Sequence, residues 1–153
     1  MTPRTLVIVL TIPLMAFYCV PTPLMRISID TAEPLHQANK SISPSREAFN
    51  RADELVASFA KRFLLERQFD GQCEVSNAVS EQDICISYSR FKDEGIMLSV
   101  RYSARKRNTT LVLVKEARAF GTYTKNQVLN DFTRTVLMPL NSEFGDRYIS
   151  VQQ

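Results

Sequence analysis

Ser58-Phe59-Ala60-Lys61 is the string in this chain that most resembles a catalytic motif, because a lysine one helical turn after a serine can help take the hydroxyl proton. Its companion strings S-D-N and K-T-G do not occur, and the helical spacing puts Ser58 off the apolar face, so the pair reads as solvated helix surface. The single histidine, His36, falls in a polar, proline-flanked stretch, so it cannot build a triad or a metal cluster with the rest of the chain. Paired carboxylates offer little more. Asp93-Glu94 occupies a turn, Asp53-Glu54 lies on a helix, and Asp131 has Arg134 three residues on as its natural ion-pair partner. With no C-x-x-C, phosphate loop, G-x-G-x-x-G or H-E-x-x-H in the sequence, no cofactor and no metal is expected.

Positive charge is concentrated in Arg101, Arg105, Lys106 and Arg107, at the end of one strand and in the turn that follows. Such a tip can meet an acidic protein surface or lipid headgroups. Strand parity places Phe91 on the same face as Arg101, with Tyr88 and Tyr102 on the other, so the stacking aromatics that nucleic-acid recognition by a sheet needs are missing from the basic side. The net charge of +3 also argues against a polyanionic partner.

Compartment is read from the first residues and from the cysteines. Arg4 precedes a stretch without a charged side chain up to Arg26, apolar from Leu6 to Phe17: a basic start and a hydrophobic region, as in a signal peptide or membrane anchor over residues 1–25. Cys19, just after that region, is a candidate for lipidation, although Tyr18 before it is larger than a lipobox tolerates. Cys73 and Cys85, the remaining pair, read as one disulfide formed in an oxidising compartment. The chain is therefore expected to be exported, periplasmic or otherwise extracytoplasmic.

The elements that would carry these residues follow from periodicity. Residues 26–44 mix polar side chains with prolines and read as a flexible tether, and residues 45–153 as one domain. Phe49, Ala52, Val56, Phe59, Ala60, Phe63 and Leu64 recur at helical spacing and predict a helix from Ser45 to about Arg67, helped by Glu47 and Arg51. Strands are predicted over 84–91, 96–104 and 110–119, with 73–79 a weaker fourth. Ile84, Ile86, Tyr88, Ile96, Leu98, Val100 and Tyr102 share one apolar face, while Ser and Arg share the other. A second helix starts near Thr124 and presents Val128, Leu129, Phe132, Val136, Leu140 and Phe144, with Pro139 kinking or splitting it and Gly145 ending it; Tyr148–Val151 can add an edge strand. The predicted fold class is α+β: a three- to four-stranded antiparallel meander covered on one face by two helices.

The function expected from this is a non-enzymatic, envelope-associated module that binds another protein, as an accessory subunit, inhibitor or immunity-type protein, with Phe91, Arg101, Arg105, Lys106 and Arg107 as its surface. Two rival readings are a small extracytoplasmic hydrolase without a linear signature and a structural, membrane-tethered domain.

Overall fold

The computed structural model describes residues 21–30, 44–68 and 83–153 of this chain. The expectations for His36, Cys19, Cys73, the strand at 73–79 and most of the leader lie outside the described residues. Six strands form one antiparallel sheet: β1 (Pro23–Asp30), β2 (Glu66–Gln68), β3 (Ile84–Arg90), β4 (Ile96–Ser103), β5 (Asn108–Lys115) and β6 (Ile149–Gln152), in the order β2-β3-β4-β5-β1-β6. The middle is the predicted meander, because hairpins this short can join only antiparallel neighbours.

The main correction concerns β1. The sequence pattern places residues 26–30 in a tether and Met25 in a leader, yet Pro23–Asp30 is an inner strand between β5 and β6. Met25, Ile27 and Ile29 are at most 1% exposed, while Arg26 and Ser28 point the other way. The alternation was present in the sequence; the prolines beside it obscured it. Pro23 costs no ladder bond of consequence, since proline is tolerated as the first residue of a strand. With Pro23–Asp30 in the sheet, β6 finds in β1 the partner that periodicity could not supply.

α1 (Pro44–Arg62) lays Ala48, Phe49, Ala52, Val56, Phe59 and Ala60 against the sheet, and Phe63, just past its end, joins the same core. It stops short of the predicted Arg67. The Leu65 N–H donates to the Ala60 carbonyl at 2.9 Å and that of Leu64 to Lys61 at 3.4 Å, the two bonds of a Schellman cap. Leu64 holds the left-handed position at φ 55° and is 67% exposed, so it leaves the apolar stripe to which its spacing assigned it. Arg51 pairs with Glu54 and Glu143 rather than with Glu47, tying α1 to the last helix.

The second helical layer begins where expected. Thr124 caps α3 (Lys125–Phe132) through a reciprocal box with Gln127. A π-helical turn, Thr133–Leu137, then widens the path before α4 (Met138–Phe144), whose second residue is Pro139. Proline cannot donate to the carbonyl four residues back, and the wider turn comes just where a regular helix would need that bond. Val128, Phe132, Val136 and Leu140 are fully buried, and Phe132 meets Phe59 edge-on at 5.2 Å between centroids. Both helical layers thus share one side of the sheet with the core. Among the described residues, no helix is long and apolar enough to cross a membrane.

Candidate functional site

The side of the sheet away from the helices is where the predicted surface should lie. Following the register, one row crosses it as Gln68, Ser87, Ser99, Val112, Arg26 and Gln152. The next row is Cys85, Arg101, Thr110, Ser28 and Ser150. Small hydroxyl side chains make this face flat, and no described helix packs on it.

The five residues predicted to bind a partner do not stay together. Arg105, Lys106 and Arg107 form the exposed β4–β5 turn, with Arg107 at φ 50°. Arg101 is adjacent but committed: its guanidinium donates to Asp83 at 2.9 Å, and the same carboxylate accepts from the Ala104 N–H at 3.1 Å. Burial pushes the Asp83 carboxyl up, but Arg101 and the Ala104 amide outweigh that and hold it below its ordinary value. Phe91 stands at the opposite end of β3 and β4, opening the one-turn helix α2 (Phe91–Glu94), with the Arg118 guanidinium 4.5 Å from its ring centroid. Arg26, assigned to the tether, joins the open face in its place.

That opposite end holds two buried charges, Glu94 and Lys115. Glu94, assigned to a turn, closes α2 and is 2% exposed; its carboxylate accepts from the backbone N–H of Thr122 at 2.9 and 3.0 Å and of Tyr123 at 3.2 Å. Desolvation raises its proton affinity, yet these two amides and the nearby charge of Lys115 hold its pKa below the ordinary value, so it is a buried carboxylate. Lys115 ends β5, four residues before the strand was predicted to stop. Its ammonium is 4% exposed as a residue and donates to the carbonyls of Glu94 and Glu116, and burial, with Arg118 and Lys125 nearby, lowers its pKa despite the attraction of Glu94. Gly95, at φ 66°, lets the two segments approach so closely that a Cβ there would lie 2.7 Å from the Glu116 carbonyl.

Two clefts flank this end and share Tyr123 as a wall. One, of about 260 Å³, is lined by Lys115, Arg118, Thr124 and Lys125 among others. The other, wider and open, lies between α1 and α3, where Arg62 at 2.9 Å and Arg134 at 2.8 Å both reach Oδ1 of Asp131. The predicted Asp131–Arg134 pair is therefore present, with Arg62 as an additional partner. Ser58 and Lys61 both sit on the exposed side of α1, and Asp53 is bound by the Tyr88 hydroxyl at 2.9 Å, which burial and that carboxylate push up to about 12. Carboxylates 53, 83, 94 and 131 are thus each engaged by a different donor set rather than facing one another. Among the described residues no three His, Cys, Asp or Glu side chains gather as metal ligands. Comparison with known proteins gives no match: no family model, no curated protein and no solved structure aligns with this chain.

Proposed function

We propose that this chain is a non-catalytic module that binds another protein at the cell envelope through the open face of its sheet. The observation that carries the reading is that α1 and the α3–α4 layer pack on one side only. Among the described residues the other side carries Ser87, Ser99, Thr110, Val112 and Ser28, with Arg26 on it and the basic 104–107 turn at its rim. A sheet face that no described helix covers can be overlaid by a partner over a wide area, and Arg26 is of the residue type enriched at interface cores. In this reading residues 1–20 direct export or anchor the chain, with Cys19 the acceptor if lipid is added. A Cys73–Cys85 bridge fastens the start of β3, a pairing supported by Cys85 being a half-cystine.

Arg101 is a poor probe of this surface, because its reversal would also strip Asp83 of its partner. Ser99→Arg and Arg26→Glu avoid that, as both positions lie on the open face with no core contact. Full-length protein purified from membranes with its bound partners should lose them in either variant, by about tenfold or more, as for a truncated interface centre. An unchanged set of co-purifying proteins, with the variants still folded, would dismiss the open face as the binding surface.

A further inference from the structure

We infer that the cleft between α1 and α3 binds the carboxylate of a small monoanionic acid, with Arg62 and Arg134 as two clamps and Tyr123 beside the acid's apolar body. The cleft has a volume of about 450 Å³ and is open to water; Arg62 reaches it from the end of α1, Asp131 from α3 and Arg134 from the π-helical turn. The two arginines meet on one atom. Nη2 of each lies on Oδ1 of Asp131, at 2.9 Å from Arg62 and 2.8 Å from Arg134, while Oδ2 is buried and accepts from neither. Neither guanidinium therefore makes the two-pronged contact in which an arginine takes both oxygens of a carboxylate. Each carries five N–H donors, and among the described residues neither has a second acceptor. With the side chains 50% and 68% exposed, those donors remain for water or a ligand.

Charge and donor count give the class of ligand. The charged side chains that line the cleft are Arg62, Arg134 and Asp131, two cations and one anion, so one positive charge is left uncompensated there. The other polar lining groups include the carboxamides of Gln127 and Asn130. The Gln127 oxygen already accepts from the Thr124 N–H, which leaves its NH₂ group as a donor. A surplus of donors with one net positive charge matches a group that has one negative charge and acceptor oxygens only, which is a carboxylate. A phosphate monoester brings more charge than the cleft can balance. Tyr123, half-buried and edge-on to Phe63 at 4.8 Å between centroids, supplies an apolar ring for the rest of the acid.

A structural clasp explains this cluster poorly. Exposed ion pairs contribute little to stability, and two long side chains crowded onto a single oxygen gain less than two separate pairs. What the arrangement does is hold both guanidiniums in place before a ligand arrives, because Asp131, with its side chain 11% exposed, is itself fixed. Binding then orders little that is not already ordered. The π-helical turn is an independent sign. Arg134 stands in it, and the Thr135 hydroxyl donates to the Asp131 carbonyl at 2.7 Å where the helix widens. Turns of this kind recur where a helix carries a functional site. The cleft is on the helical side of the molecule and neither Ser99 nor Arg26 lines it, so its failure and that of the open face are separable.

The test is saturation-transfer NMR on the purified full-length chain with phenylacetate as the probe. Phenylacetate should bind saturably, and Arg62→Gln and Arg134→Gln should each weaken it by about tenfold, as for loss of a hydrogen bond to a charged group. Phenylacetamide, the neutral analogue, should show no saturable binding, and phenyl phosphate should bind less tightly than phenylacetate. Urea denaturation of the same samples should find both variants nearly as stable as the parent chain. The inference is overturned if phenylacetate does not saturate, if the amide binds as well, or if phenyl phosphate binds more tightly. It is overturned equally if either variant keeps its full affinity, and a loss of stability alongside that would make the arginines a clasp and nothing more.

Discussion

The two ends of the sheet both carry clustered positive charge and a turn between strands, but they use charge in opposite ways. At the hairpin end Arg105, Lys106 and Arg107 remain exposed, while Arg101 is drawn in against Asp83. At the other end Glu94 and Lys115 are almost wholly buried and their exposed neighbours are what the buried pair positions. The lesson is that the density of charge along the chain locates a solvated surface, whereas a charge that organises structure can be a single residue in an otherwise ordinary context. A buried ion must find its compensation in fixed amides and carbonyls, and those come from distant parts of the sequence.

The sharpest way to break this contrast is Glu94→Gln. The amide keeps the shape and its oxygen can still accept from Thr122 and Tyr123, but its NH₂ group then faces the Thr122 N–H at the place of the other oxygen, donor against donor, and Lys115 is left without its nearby anion. Urea denaturation at neutral pH should show a loss of about 2–4 kcal/mol. The acid limb adds a second reading. Because the Glu94 pKa is lowered by folding, its contribution is complete above the ordinary carboxylate range of about 4.3 and disappears as pH falls through the depressed folded value. Asp83 is shifted in the same direction, so the variant should retain part of the acid dependence while losing Glu94's share. A change within about 0.5 kcal/mol, the range of an ordinary surface substitution, would mean that Glu94 is not the pin of the loop.

Asp83→Asn is the matching experiment at the hairpin end and should cost less, about 1–2 kcal/mol. It weakens the bonds to Arg101 and the Ala104 amide, but the Arg101 side chain is 23% exposed and can turn toward water, an escape Lys115 lacks. Equal losses in the two variants, measured by the same denaturation, would remove the distinction between the ends.

These expectations also mark what could be read in advance. The α+β class, the meander, the Thr124 start of the second helix and the faces of β3 and β4 followed from periods of two and three to four, which depend on each residue's immediate neighbours. Arg26 was legible in principle, since Met25 to Asp30 alternates without a break, but the preceding prolines and uncharged run invited a leader and a tether instead. Glu94 was not legible. Its partners are 28 and 29 residues away, and nothing in Lys92-Asp93-Glu94-Gly95 says which acid faces inward. The end of β5 was hidden for the same reason: the run Leu111 to Val114 suggests a strand that continues, while the chain leaves the sheet at Lys115, whose ammonium is held by the carbonyls of Glu94 and Glu116.

The smallest effect expected concerns backbone strain, which the ends share in kind. Each holds a residue other than glycine in the left-handed region, Leu64 at φ 55° where α1 ends and Arg107 at φ 50° in the hairpin. The helix end passed unrecognised in the sequence because the residue at the left-handed cap position is leucine, whereas glycine is the usual signal. A side chain there costs about 1–2 kcal/mol in steric conflict with its own backbone, and Leu64 recovers little of it because it is mostly exposed. Leu64→Gly should therefore stabilise the domain, by about 0.5–1 kcal/mol once the greater freedom of glycine in the unfolded chain is subtracted. Arg107→Gly should gain less, since Arg107 has an interaction of its own to lose. If thermal or urea unfolding shows Leu64→Gly to be destabilising, the exposed leucine contributes through a contact rather than merely tolerating its position.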